Sequence, residues 1–248
     1  ERNESKNIST PHIKDENFKI IPIKQEKMDN MAPAGSFYSS ANDMAHYMNF
    51  ILNNGIVEND TLVSKNAFSE ILKPQIHFKR YPEHNEFTSY GFGWFITPLN
   101  GDKIVDHGGG VDGMTANLIM VKNKNYGVIV LTNSFDAGLI TASLSIDIIG
   151  GFLQNEEYRN ISNWYKDNFL KTDSIQAAKR EVIENTKIKN TKPSLELEKY
   201  AGNYNDKMYG DIFILKENSN LIIKFSHTPL FTGSLNHWHF DTFEIDWY

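Results

Sequence analysis

The segment Asp106-His107-Gly108-Gly109-Gly110-Val111-Asp112-Gly113-Met114 places one histidine, two carboxylates and four glycines within nine residues. Glycine at this density brings a backbone close to another strand, a ligand or a reacting carbonyl. A histidine beside it suits proton handling or the holding of a carboxylate. The segment reads as the edge of an active site. Asp106 and Asp112 are candidates to orient His107, although turn and edge carboxylates are the commoner use of such residues. Gly108-x-Gly110-x-x-Gly113 also fits the dinucleotide fingerprint as a string. The run after Gly113 has the pattern of a strand, not of a helix that would receive a pyrophosphate, so that reading fails and no cofactor is implied.

The elements around the edge can be read from periodicity and punctuation. Residues 1–32 are polar with short apolar pieces and read as extended and loop-rich, ending in a turn over Met31–Ser36. Ser40 with Asp43 three residues on is close to a capping box. Met44, Tyr47, Met48, Ile51 and Leu52 then mark one helical face, closed by Gly55. Ser64 caps a second short helix, with Phe68, Ile71 and Leu72 apolar and Pro74 as the stop. The pattern turns to β over Tyr90–Ile96, read as one glycine-bearing strand, and over Lys103–Asp106, a short strand leading into the glycines. Gly113 serves the bend after them. Thr115–Val121 and Tyr126–Leu131 form a hairpin around Lys122–Asn125. Ala137–Leu153 is apolar on most sides and is expected to be a largely buried helix.

Residues 155–193 are polar with a helical pattern and read as a connector. Short strands come next at regular spacing: Tyr200–Tyr204, Asp211–Lys216, Leu221–Phe225 and Trp238–Trp247. They suggest a small barrel that looks cut short. The expected architecture is α+β: an antiparallel sheet flanked by helices over residues 1–154, the connector over 155–193, and a small all-β barrel-like tail over 194–248.

The totals exclude several classes. The chain has 248 residues, 40% hydrophobic and 23% charged, enough for a globular core. The net charge of −6 and the lack of a basic block argue against nucleic acid as partner. Without cysteine there are no disulfides or thiolate metal sites. No apolar run reads as long enough to span a membrane, and the first residues do not resemble a signal peptide.

Three segments in order resemble the serine β-lactamase and penicillin-binding-protein-like hydrolases, on the class C and D-aminopeptidase/esterase side. They are Ala32-Pro33-Ala34-Gly35 with Ser39-Ser40-Ala41-Asn42-Asp43-Met44-Ala45, then Tyr90-Gly91-Phe92-Gly93-Trp94, then His107-Gly108-Gly109-Gly110. The last is similar to the family's third motif, Lys-Thr-Gly or His-x-Gly. The likeness covers residues 8–153. The tail, through Leu197–Tyr204 and Leu235–Phe243, resembles the lipocalin-like domain appended to some of these hydrolases. The resemblance implies acyl transfer to water through an acyl-enzyme, on a peptide, β-lactam or ester. It implies His107 and Gly110 as catalytic residues, His107 in the place of the family's lysine and Gly110 with its N–H in the oxyanion hole. Gly108, Gly109, Tyr90 and Trp94 are the implied substrate-binding residues, with core packing the rival role for Tyr90 and Trp94.

The family's chemistry also needs Ser-x-x-Lys and Tyr-x-Asn. No serine here has a lysine three residues on. Tyr47-Met48-Asn49 and Tyr158-Arg159-Asn160 match the second motif as strings, but in helical patterns and out of order. The chain is therefore expected to be the C-terminal portion of a longer enzyme, inactive alone, with the rest of that protein as a partner beside a small-molecule or peptide substrate. A non-catalytic peptidoglycan- or ligand-binding protein on the same scaffold is the rival reading. A periplasmic or secreted location is expected. No metal is expected: His237, His239 and Asp241 share one side of a strand, but solvent-facing alternation accounts for them.

Overall fold

The structure, a computed structural model, describes residues 6–15, 17–25, 28, 31–80 and 87–248. The chain forms two units, residues 1–174 and 175–248, which divide within one long helix.

The first unit begins with a short antiparallel hairpin, β1 (His12–Lys14) and β2 (Ile20–Pro22). A single helical turn follows, α1 (Ala32–Gly35), with Pro33 in its first turn, where a missing N–H costs nothing. Helix α2 (Ala41–Leu52) starts as expected: Ser40 Oγ accepts from the Asp43 N–H and donates to the Asp43 carboxylate. After it come β3 (Ile56–Val57), β4 (Asp60–Thr61) and α3 (Lys65–Ile71), the last capped by Ser64. β5 (Ile76–Phe78), β6 (Thr88–Tyr90), β7 (Phe95–Leu99), β8 (Asp102–Val111), β9 (Met114–Val121) and β10 (Tyr126–Thr132) form one antiparallel six-stranded sheet in sequence order.

Two strand expectations change. Tyr90–Ile96 is not one strand: β6 stops at Tyr90, the chain turns through Gly91–Gly93, and β7 starts at Phe95. Gly93 holds φ +82°, and a Cβ at Gly91 would lie 2.8 Å from the Ile71 carbonyl oxygen. β8 does not stop at Asp106 but runs ten residues, with the three consecutive glycines inside it. Glycine's low strand propensity hid that continuation.

The sheet is covered on both faces. On one, Val105, Leu118, Met120, Trp94 and Ile96 pack against Ile51 and Leu52 of α2, Phe68 of α3 and Leu72 just after it. On the other, Leu99, Ile104, Ile119 and Val121 pack against α4 (Gly138–Leu153) and α5 (Glu156–Glu184). Val105, Met120 and Val121 are wholly buried. Truncating Met120 to alanine is worth about 2–5 kcal/mol. By length and composition Phe135–Leu153 is apolar enough to cross a membrane, which corrects the expectation that no such run exists. It packs on the sheet, with Thr141 and Ser145 back-bonded to carbonyls four residues earlier and Ser143 bonded to Ser162. Burial covers only part of it: Leu144, Ile148 and Phe152 form an exposed stripe.

The second unit is an antiparallel meander of β11 (Gly202–Asp206), β12 (Gly210–Glu217), β13 (Asn220–Phe225), β14 (Thr232–His239) and β15 (Thr242–Trp247). The expected barrel does not close, because β11 and β15 do not pair with each other. The expected strand Trp238–Trp247 is two strands, turning at Phe240 (φ 46°) and Asp241.

One tie across the first unit makes a pH prediction. Lys122, in the β9–β10 turn, donates its ammonium to the carbonyls of Ile51 and Leu52 at the C-terminal end of α2, and sits 5.2 Å over the Phe68 ring. Burial, helped by repulsion from Lys103, lowers its pKa from 10.5 to about 8. Between those two values the unfolded chain binds the proton and the fold does not, so this group makes stability rise with pH there. Urea denaturation from pH 7.5 to 10.5 should show wild type gaining on Lys122→Met as pH rises. A constant difference would refute the assignment.

Candidate active site

The two turns that flank β8 determine which way each of its backbone groups points. β7 and β8 close on Leu99 and Asp102 through Asn100 (φ 51°) and Gly101 (φ 84°), the φ > 0 pair of a type I′ turn. β8 and β9 close on Val111 and Met114 through Asp112 and Gly113 (φ 77°). The closing pair of a two-residue hairpin exchanges both ladder bonds, and bonding alternates from there. Asp102 therefore points its N–H and C=O at β7, and Val111 points its own at β9. The two assignments agree: even-numbered residues of β8 face β7 and odd-numbered ones face β9.

β7 ends at Phe95, opposite Asp106. Beyond it, Gly108 and Gly110 direct their N–H and C=O groups off an edge that has no partner strand among the described residues. These are donors and acceptors for an extended chain or a reacting carbonyl.

The three glycines differ in what they would tolerate. A Cβ at Gly108 would lie 3.0 Å from Asn117 Oδ1, and one at Gly110 would lie 3.3 Å from Phe135 and from Thr115. A Cβ at Gly109 would meet nothing within 4 Å. Gly109 shares His107's parity, so the open space lies on the histidine's face of the sheet.

His107 is exposed, and its Nε2 is 3.1 Å from the Tyr90 hydroxyl. The Phe95 ring stacks on the imidazole at 5.6 Å and 22°, and Tyr90 meets Phe95 edge-on at 4.8 Å. Two consecutive hairpins thus bring together residues 17 apart in sequence. The Pro33-Ala34-Gly35 turn also reaches this strand, since a Cβ at Gly35 would touch Val111 Cγ1 at 3.5 Å.

Asp106 does not serve as an orienting partner for His107 through a hydrogen bond. Its carboxylate is buried and takes both bonds, 2.9 and 2.8 Å, from Arg80 Nη1. Burial pushes its pKa up, against the pull of Arg80 and His107. Sequence reading missed Arg80, because nothing local marks a pair 26 residues apart. Asp112 is exposed in its turn.

Trp94 is buried in the core, stacked at 6.4 Å on Tyr47. A cavity of about 20 Å³ lies behind β8 among Arg80, Asp106, Asn117 and Tyr158. It has room for a water and not for a substrate.

Among the described residues no cluster of three potential metal ligands occurs. His237 Nε2 meets the Phe240 carbonyl, His239 Nδ1 accepts from the Ile188 N–H, and Asp241 binds Ser194 and Tyr200.

The chain matches two family models: Beta-lactamase over residues 3–144, and a domain of unknown function, DUF3471, over residues 186–248. The second match gives no support to a lipocalin-like tail. No curated protein matches the chain. Among solved structures it is similar to an octameric penicillin-binding protein homologue from Pyrococcus abyssi, at 18% identity and a TM-score of 0.53. That alignment covers 94% of this chain and 45% of the other. A D-stereospecific amidohydrolase from Streptomyces aligns at 19% identity and a TM-score of 0.42, over 53% of this chain and 36% of its own. The chain therefore spans less than half the length of either protein.

The glycines make a prediction. Gly109→Ala should keep wild-type stability or gain a few tenths of a kcal/mol, since Ala lowers the entropy of the unfolded chain. Gly108→Ala and Gly110→Ala, which crowd Asn117 and Phe135, should each lose about 1–3 kcal/mol in urea denaturation. Equal losses at all three positions would refute the open face at Gly109.

Proposed function

Because the chain belongs to the β-lactamase family, a fold related to serine acyl-transferases and hydrolases, we propose that it carries the substrate-holding edge of a serine hydrolase site. The substrate is a peptide, β-lactam or ester, processed through an acyl-enzyme. The observation that carries this reading is the unpaired edge of β8. Gly108 and Gly110 offer backbone groups outward there, and His107 stands beside the gap at Gly109.

In this reading an extended substrate lies along β8 and completes its ladder. Main-chain hydrogen bonds supply alignment without demanding particular side chains. The Gly110 N–H is one oxyanion donor, placed before the reaction starts and so requiring no reorganisation during it. His107, held by Tyr90, binds a substrate carboxylate or relays a proton. The attacking serine and its lysine come from polypeptide outside these 248 residues, none of whose serines has a lysine three positions on. That same observation favours a second reading, a peptidoglycan- or ligand-binding protein without catalysis. A Ser-x-x-Lys motif in the full-length gene would exclude it.

This polypeptide alone should take no covalent label from a fluorescent penicillin or a fluorophosphonate, and stoichiometric labelling would show the nucleophile assignment to be wrong. An acylated dipeptide with a free carboxylate should shift the amide resonances of Gly108 and Gly110 in a titration. His107→Ala should weaken that binding about tenfold, the loss of one charge-assisted hydrogen bond. Resonances shifting elsewhere and not on β8 would reject the edge as the site.

A further inference from the structure

We propose that Arg80 is a positioning residue for His107, acting through the ring of Phe95. The Arg80 guanidinium carbon lies 4.3 Å from the Phe95 centroid, and the His107 imidazole stacks on that ring at 5.6 Å. Asp106 holds the guanidinium in place by two bonds to Nη1, with side-chain exposures of 21% for Arg80 and 7% for Asp106. Phe78 meets the Phe95 ring edge-on at 6.0 Å, and Tyr90 does so at 4.8 Å.

His107 needs this support. On its C-terminal side Gly108 has no side chain, and the space at Gly109 is open. An imidazole there is free to change rotamer unless the Tyr90–Phe95 side holds it. One hydrogen bond from Tyr90 leaves the ring free to swing about that contact, and a stacked neighbour removes the swing. Phe95 is itself only half-buried, so its own placement depends on what covers it. A planar cation gripped by a buried carboxylate covers an aromatic face better than a lysine, which lacks both the plane and the fork. Asp106 and His107 are adjacent in sequence yet coupled the long way round, through Arg80 and Phe95.

Within the proposed function, and resting on it to that extent, this arrangement sets where the imidazole meets a substrate carboxylate. The restraint on the ring is measurable without substrate, so its failure and the failure of the hydrolase reading are separate results. Diethyl pyrocarbonate acylates neutral imidazole nitrogen. At pH 8, where an ordinary histidine is neutral, peptide-level mass spectrometry gives the rate at each histidine. His12, His77 and His227 serve as internal standards.

Release from one staggered well into three predicts an increase of about threefold at His107 in Arg80→Met, relative to those standards. Arg80→Lys should recover less than half of that change. Unaltered relative reactivity of His107 in a folded Arg80→Met protein would overturn the proposal. Rates rising together at every histidine would mark an unfolded variant. In that case Phe95→Leu, which keeps the Arg80–Asp106 pair, decides: the same increase at His107 supports the proposal and none overturns it.

Discussion

The alternation of hydrogen bonds along β8 is the constraint on which the rest of the site depends. Among the described residues, one strand serves two sheet neighbours over its first half and only one over its second. Two tight turns, each two residues long, fix the phase of that alternation from both ends. A slip of one residue in either hairpin would exchange the faces. Val105 would leave the core it fills, and the outward amides of Gly108 and Gly110 would turn into the ladder with β9. The burial of Val105 between sheet and helices therefore holds the register that exposes the edge. Core and site are two readings of one pattern, and the hydrophobic half of the strand stabilises the polar half.

An unpaired strand edge is ordinarily a hazard, blunted by proline, by charge or by a bulge. From His107 to Val111, β8 carries none of these except a histidine beside the opening. Its glycines are also of two kinds. Gly108, Gly110 and Gly113 are demanded by neighbours, Gly113 most of all, since a Cβ there would fall 2.3 Å from Pro11. A Cβ at Gly109 would meet nothing within 4 Å among the described residues. Glycine there leaves the backbone open on the face that His107 occupies.

Legibility in the sequence tracks the range of the interactions. Ser40 and Ser64 act within three residues of themselves, and both caps stand where their side chains predict. The β9–β10 hairpin and the buried side of α4 follow from patterns of a dozen residues or so. The turn between β6 and β7 was not legible, because Gly91 is required by the Ile71 carbonyl oxygen, twenty residues earlier in the chain. The Arg80–Asp106 pair and the stack on Phe95 depend on the sheet already being assembled. In the second unit the regular spacing marked short strands separated by turns. Closure into a barrel is a statement about the first and last strands, which no local pattern makes, and here they stay apart. At the candidate site the residues were legible as types and their roles were not: His107 and Tyr90 meet, Trp94 goes to the core, and Asp106 turns away to Arg80.

The two halves of an acyl-transfer site make different physical demands. A nucleophile requires particular side chains at particular atoms, with a base whose proton affinity suits the task. A substrate edge requires only a strand with its neighbour withdrawn, because its donors and acceptors belong to the backbone. Such an edge binds an extended chain whether or not a serine lies near it, and its affinity comes from ladder bonds that any peptide can supply. Selectivity then has to come from the few side chains at its mouth. In this chain those are His107 and the residues that hold its ring, Tyr90 and Phe95, with Arg80 and Asp106 behind them. In the proposed function the glycines admit a substrate along this strand, and the placement of one imidazole decides which end of that substrate is bound.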